Sequence, residues 1–240
     1  MERQFYNGNK KIIMILITGA SGGVGKFLLQ KYSNGKEKAY GTYNSTLPTG
    51  IIKDENYFKV DVTSSKQIED WLRSIDLDNQ ITLINCAGIS YNAFAHKSDP
   101  EKWKKVIEVN LIGTYNLIRQ LLPHMRDSNF GRIINFSSVA AQKATPGVSA
   151  YSASKSALWG MTKSIAAENA SKGITINNIN LGYSELGMIE QVPENYKEAI
   201  INQIPNGELC QKQDIFKCVE FLRSNSYMNG SSVDLNGGLF

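Results

Sequence analysis

The sequence predicts an α/β fold: a single doubly wound Rossmann domain built on a parallel sheet of about seven strands. Three observations carry this expectation. Strand-like apolar runs alternate with helical stretches of ten or more residues, the pattern of βαβ units whose sheet is covered on both faces. The first apolar run, Ile12 to Ile17, leads directly into a glycine loop, Thr18-Gly19-Ala20-Ser21-Gly22-Gly23-Val24-Gly25. No internal repeat or low-complexity linker divides the chain.

Taken in order, Ile12 to Thr18 reads as a buried strand, and Gly23 to Tyr32 as a helix that stops before Ser33-Asn34-Gly35. Lys38 to Thr42 and Tyr57 to Val60 are short strands, followed by a helix from about Ser65 to Ile75 and a strand from Ile81 to Asn85. A long helix starts near Asp99-Pro100, where Asp99 can cap and Pro100 suits the first turn, and runs to about Met125. Arg132 to Ser137 is the next strand, Ala150 to Ala170 a helix, and Ile174 to Leu181 a sixth strand. Irregular sequence from Gly182 to Gly207 precedes a helix from Gln213 to Ser224 and a last strand from Ser231 to Leu235. The domain is expected to span 12–240, with residues 1–11 a polar tail and a substrate lid over about 183–207.

A chain of 240 residues is ordinary for one large α/β sheet and can bury a sizeable core. No apolar stretch approaches the roughly 20 residues of a membrane span, and Met1 to Lys11 has no apolar signal core or small-residue cleavage site behind it. The net charge of +4 is spread along the chain, which reads as a solvated surface and not a nucleic-acid patch. Cys86, Cys210 and Cys218 are odd in number and lack metal-ligand spacing, and there are two histidines. The expectation is therefore no metal site and a reducing cytoplasm.

Two motifs carry chemistry. The glycine loop sits at a strand-to-helix junction, where glycines allow close backbone approach and a helix N-terminus offers free N–H groups to a pyrophosphate. Its spacing, Gly19-x-x-x-Gly23-x-Gly25, differs from the familiar G-x-G-x-x-G. Downstream, Tyr151 lies thirteen positions after Ser138, and Lys155 follows Tyr151 by four, which on a helix puts both on one face. An ammonium near a phenol favours the phenolate, and Ser138 can hold a substrate oxygen beside it. Alone, each piece has a plain structural explanation; together they describe a nucleotide site followed by a tyrosine acid/base, as in a carbonyl reductase or alcohol dehydrogenase.

From Ile12 to Phe240 the chain resembles the short-chain dehydrogenase/reductase family, in pattern most like the 3-oxoacyl-(acyl-carrier-protein) reductases. Thr18 to Gly25 matches T-G-x-x-x-G-x-G. Asp61-Val62 matches the pair that contacts adenine, Asn85-Cys86-Ala87-Gly88 matches N-N-A-G with cysteine at its second position, and Asn236-Gly237-Gly238 matches the C-terminal N-G-G. Asn110, Ser138, Tyr151 and Lys155 match the catalytic tetrad. The resemblance implies that Tyr151 exchanges a proton with the substrate oxygen and Ser138 hydrogen-bonds that oxygen. Lys155 lowers the tyrosine pKa and binds nicotinamide-ribose hydroxyls, while Asn110 holds a water linking Lys155 to solvent. The implied cofactor residues are Gly19, Ser21, Gly22, Gly23, Val24, Gly25, Asn44, Asp61, Val62, Cys86, Ala87, Gly88, Tyr151, Lys155, Gly182 and Ser184. Homodimers or homotetramers are implied too, in agreement with surplus apolar residues on the helix around Asn110 to Leu122 and on that from Ile215 to Leu222.

Departures from the family pattern matter. Cys86 cannot make an asparagine's hydrogen bonds. Where many relatives carry P-G-x-x-x-T, this chain has Leu181-Gly182-Tyr183-Ser184-Glu185-Leu186, so Leu186 removes a hydroxyl that meets the carboxamide, leaving backbone at Ser184 to bind it. The stretch Gly41-Thr42-Tyr43-Asn44-Ser45 has no carboxylate to repel a 2′-phosphate, and Asn44 and Ser45 can donate to one, whereas Gly22 stands where many NADP-dependent relatives put arginine. NADP is the expected cofactor, with NAD the alternative. Specificity is expected from Ser90 to Lys97, Ala140 to Ser149 and the lid, whose Tyr91, Phe94, His96, Tyr183, Met188, Ile189 and Tyr196 suit a partly apolar ketone. The resemblance also implies two basic residues that hold an acidic carrier, before the fifth strand and near the end of the Tyr151 helix; here those places hold Asn129 and Lys172, so half of that charge remains. The substrate is thus read as a ketone, a 3-oxoacyl thioester first, with sugar-derived or cyclic ketones and a non-catalytic nucleotide-sensing module as alternatives. Nucleotide-sugar epimerases space their glycines T-G-x-x-G-x-x-G in longer chains and fit poorly.

Overall fold

In a computed structural model, residues 13–45 and 56–239 are described; residues 1–11, read as a tail, and the domain's first residue lie outside them. Seven strands form one sheet in the order β3-β2-β1-β4-β5-β6-β7, every pairing parallel. They are β1 (Met14–Thr18), β2 (Lys38–Tyr43), β3 (Tyr57–Lys59), β4 (Ile81–Asn85), β5 (Gly131–Ser138), β6 (Ile174–Leu181) and β7 (Ser232–Leu235). Strand order reverses between β1 and β4, and ligands bind at such a switch point beyond the carboxyl ends of the strands.

Successive side chains of a strand face opposite ways, and the core divides accordingly. Met14 and Leu16, with Leu83, Ile133 and Ile176, join a layer closed by α2 (Ser65–Ser74), α4 (Thr114–Ser128) and part of α5 (Ser149–Asn169). Ile15 and Ile17, with Ile84, Ile134 and Ile179, face the layer of α1 (Gly23–Ser33) and α7 (Lys212–Ser224), where Leu28, Leu29, Ile215, Val219 and Leu222 are buried. β1 and β4 are buried on both faces, which explains why the sequence shows them as nearly continuous apolar runs.

Two expectations need correction. The helix expected from Asp99 to Met125 starts as read, with Pro100 in its first turn and the Asp99 carboxylate accepting from the Glu101 and Lys102 N–H groups. It is nevertheless three pieces: α3 (Pro100–Ile107), a π-helical turn (Glu108–Gly113) and α4. An extra residue is accommodated in the turn that carries Asn110, a distortion frequent at functional sites. Second, the lid is not irregular throughout. A 3-10 turn, Met188–Gln191, precedes α6 (Glu194–Ile201), whose first residue follows Pro193. No described helix is long and apolar enough to cross a membrane.

Candidate active site

The glycine loop is shaped by close approach. A Cβ on Gly19 (φ 66°) would stand 2.7 Å from the Ala87 backbone, and one on Gly25 would stand 2.4 Å from the Gly19 carbonyl oxygen. These contacts hold the β1–α1 loop against the strand end at Cys86-Ala87, where the Ala87 N–H donates to Thr18 Oγ1 at 3.1 Å. Gly22 caps α1 without a side-chain hydrogen bond, so first-turn N–H groups of the helix stay available to an anion. Ser21 and Val24 complete this turn. Asn44 and Ser45 follow β2 in the open, and Gly41 lets that strand press on Ala20 and Leu29.

On the adjoining edge, Asp61 accepts from the Thr63 N–H at 2.8 Å and its hydroxyl at 2.7 Å. Burial pushes this carboxyl up, but those two bonds and the charge of Lys105 outweigh it and hold its pKa below the usual value. Val62 is buried against Gly113 of the π-turn. Cys86 packs on the α1/α7 layer, and burial drives its thiol up against the opposing charge of Lys155. It is therefore a neutral thiol. A Cβ on Gly88 would stand 3.6 Å from Lys155 Nζ and 3.3 Å from Asn110 Oδ1. The absence of that Cβ leaves a cradle beside the lysine, which suits the ribose of a dinucleotide; with the open α1 N-terminus, the residues present fit such a cofactor.

The expected tetrad meets at the carboxyl ends of β4 and β5. Ser138 ends β5, its hydroxyl accepting from the Ala140 N–H at 3.2 Å, and it stands near enough to Tyr151 to favour the phenolate. Tyr151 and Lys155 lie one turn apart on α5, with Lys155 Nζ 5.6 Å from the tyrosine ring centre and donating to the Phe136 carbonyl at 2.7 Å. Burial raises the Tyr151 pKa and the neighbouring Ser138 hydroxyl only partly offsets this, so the expected depression by Lys155 is not seen. The lysine is itself buried, which lowers its pKa to about 8 and leaves it mostly charged at neutral pH. Asn110, in the π-turn, is fully buried. Its Oδ1 accepts from the Ile89 N–H at 2.8 Å, and its Nδ2 donates to the Ile89 carbonyl at 2.9 Å and to Ser154 Oγ at 3.0 Å. Both amide hydrogens are used, so the water link implied for Asn110 has no free side-chain donor.

The lid closes against the glycine loop. Gly187 (φ 87°) approaches Gly23 so nearly that a Cβ on Gly23 would stand 2.9 Å from its Cα. Gly182 packs on Asn236 in the N-G-G segment, and the buried Ser184 hydroxyl donates to the Leu186 carbonyl at 2.9 Å. Leu186, in the place of a threonine, turns to the α1/α7 core. The loop at Ser90 to Lys97 is tied to that at Ala140 to Ser149 by the Ala93 N–H on the Gly147 carbonyl at 2.8 Å. A cavity of about 540 Å³ lies outside this second loop, lined by Ala140 to Pro146 and the outer face of α5, and includes neither Ser138 nor Tyr151. No described group of three His, Cys, Asp or Glu side chains could hold a metal ion.

Residues 13–197 match the model of the short chain dehydrogenase family. The chain is 37% identical over 234 residues to an acetoacetyl-CoA reductase of Rhizobium meliloti, covering 94% of this chain and 97% of that one. Its structure resembles ligand-free aldohexose dehydrogenase of Thermoplasma acidophilum at a TM-score of 0.86 and 26% identity, over 95% of this chain and 94% of that one. It also resembles the 3-oxoacyl-[acyl-carrier protein] reductase of Brucella melitensis at 0.85 and 26% identity, over 100% and 98%. The chain belongs to the short chain dehydrogenase family and is an NAD(P)H-dependent oxidoreductase that reduces ketones.

Proposed function

We propose that this short chain dehydrogenase reduces a partly apolar ketone, a 3-oxoacyl thioester in the first place, to a secondary alcohol, with NADPH as the preferred donor. The observation that carries the reading is the meeting of Ser138, Tyr151 and Lys155 beside the cradle at Gly88. The glycine loop with α1, the Asp61-Val62 pair and the segment from Cys86 to Gly88 would hold the dinucleotide, and the backbone at Gly182 and Ser184 its carboxamide end. When bound, the nicotinamide supplies a hydride to the carbonyl carbon. The protein's part is the proton. Ser138 donates a hydrogen bond to the carbonyl oxygen, the Tyr151 O–H bond breaks, and its proton forms the new alcohol O–H. Because burial keeps the phenol protonated, Tyr151 enters a reduction in the state a donor needs. The charged Lys155 then stabilises the phenolate left behind. Asn110 ties the segment after β4 to α5 through Ile89 and Ser154 and so fixes the lysine's surroundings.

NADPH is favoured by Asn44 and Ser45, which offer donors and no carboxylate to a 2′-phosphate. The relative that acts on acetoacetyl-CoA supports the thioester, whereas the likeness to an aldohexose dehydrogenase favours a sugar-derived ketone as second reading. An NADPH-oxidation screen over acetoacetyl-CoA, keto-sugars and cyclic ketones separates them. Turnover of the thioester at least tenfold above the other classes is expected. Robust turnover of another class with none of any thioester would sink the acyl reading and leave the reductase standing. We also read the working form as a homodimer or homotetramer, since Ile112, Tyr115 and Phe221 are 45%, 43% and 46% exposed in the single chain. The free cysteines fit a cytoplasmic setting.

A further inference from the structure

The sheet surface beneath α5 carries amides where apolar residues are the norm. β6 reads Ile174-Thr-Ile-Asn-Asn-Ile-Asn-Leu181, and alternation puts Asn178 and Asn180 on one face. Asn178 is in register with Asn135 of β5 and Ser232 of β7, and Asn135 with Asn85 of β4. Each amide donates to the next strand: Asn85 to Asn135 at 2.9 Å, Asn135 to Asn178 at 3.2 Å and Asn178 to Ser232 at 2.9 Å. Thr162 of α5 joins this row, donating to Asn178 Oδ1 at 2.8 Å.

A second row lies two residues further along the strands, nearer the site, where Ser137, Asn180 and Asp234 are register partners. Asn180 Nδ2 donates to Asp234 Oδ1 at 2.7 Å, and Trp159 Nε1 donates to Asn180 Oδ1 at 3.0 Å and to Ser137 Oγ at 3.3 Å. An indole only donates and a carboxylate only accepts, so the orientation of the amide between them is dictated. Ser137 Oγ in turn donates to the main-chain carbonyl of Lys155 at 3.1 Å, while Lys155 Nζ donates back to the Phe136 carbonyl. Apolar side chains let a helix slide on a sheet. Directional bonds at these distances do not.

We propose that Trp159, Asn180 and Asp234 are positioning residues of the reductase, a strut that runs from β7 across β6 to the main chain of Lys155 and sets where Lys155 and Tyr151 stand relative to Ser138. The proposal rests on the assignment of Tyr151 and Lys155 as the catalytic pair. None of the three strut residues is among the groups assigned to substrate or cofactor. A displacement of about 1 Å in a reacting group can reduce a rate on the order of a hundredfold, so a strut of this kind acts on kcat.

The test compares Asn180→Leu, Asp234→Leu and Asp234→Asn with the wild type on whichever ketone the screen selects. Both leucine variants are expected to lower kcat about tenfold with ketone KM within about twofold, and to speed amide hydrogen exchange across residues 155–160 without changing it in α4. Asp234→Asn keeps an acceptor for Asn180 and is expected to recover kcat to within about threefold of wild type. The strut is overturned if Asn180→Leu keeps kcat within twofold, if it loses only thermal stability, or if Asp234→Asn is as damaging as Asp234→Leu. A wild type that reduces no ketone at all would instead remove the reductase reading, and the exchange measurement, which needs no turnover, would still decide whether the strut holds α5.

Discussion

The part of the site made by β1, α1 and β2 is held by missing side chains, whereas the part made by β5, α5 and β6 is held by hydrogen bonds between side chains. In the first, Gly19, Gly23 and Gly25 bring backbone against backbone at distances no Cβ tolerates. In the second, Ser137, Trp159, Asn180 and Lys155 meet through oriented donors and acceptors. A dinucleotide's phosphates need only backbone N–H groups and room. A proton transfer needs a hydroxyl placed to a fraction of an ångström. The two construction rules follow from those two tasks, and they predict different responses to mutation.

The largest expected effect falls on the proton. Tyr151→Phe removes the donor and leaves the ring, so kcat should drop by about a thousandfold, within the range for loss of a general acid. The dissociation constant for NADPH, read by fluorescence titration, should stay within a few-fold. Lys155→Ala should damage both quantities, because the lysine faces the phenol as well as the cradle at Gly88. Retention of more than a few per cent of wild-type kcat in Tyr151→Phe would remove the tyrosine from its role. An intermediate effect is expected at the other side of the comparison. Gly25→Ala places a Cβ 2.4 Å from the Gly19 carbonyl oxygen, a backbone atom with nowhere to go. Overpacking of this sort destabilises by roughly 1–3 kcal/mol, measurable in urea, and should weaken NADPH binding without altering the pH dependence of kcat. Wild-type stability with intact binding would show that the loop is not the rigid cradle described above.

The same contrast explains what could be read from the sequence. Gly19, Gly23 and Gly25 were legible because a glycine loop after a buried strand has few other uses, and β1 and β4 were legible because burial on both faces leaves nearly continuous apolar runs. The π-turn at Asn110 was not, since Glu108 to Gly113 reads as helix whether or not one residue is inserted. Nor was α6, whose eight residues bury no side chain fully and so show no apolar stripe. The expected lowering of the Tyr151 pKa considered the lysine's charge and left out burial, which only the packing of α5 reveals. Asn178 and Asn180 did leave a trace: with Thr175 and Asn177 they interrupt a strand whose other residues are isoleucine and leucine. Polar residues on a buried face imply partners, and that signal was there to be used.

The smallest expected effect sharpens the comparison at the one loop glycine not pressed by its neighbours. Gly22 has extended backbone (φ −156°, ψ 171°), and a Cβ built on it meets nothing within 4 Å. Substitution there should not disturb the fold, unlike Gly25→Ala. It is also the position where an arginine would complete a positive clamp for a 2′-phosphate that Asn44 and Ser45 leave uncharged. Gly22→Arg is therefore expected to raise the ratio of kcat/KM for NADPH over NADH about tenfold, close to 1.4 kcal/mol, at the lower end for a charge-assisted hydrogen bond because the site is exposed. The gain should shrink as salt is raised, since exposed charges are screened. An unchanged ratio, with the melting temperature unaltered, would mean that the phosphate does not lie between Gly22 and Asn44, and the preference for NADPH would lose its structural basis.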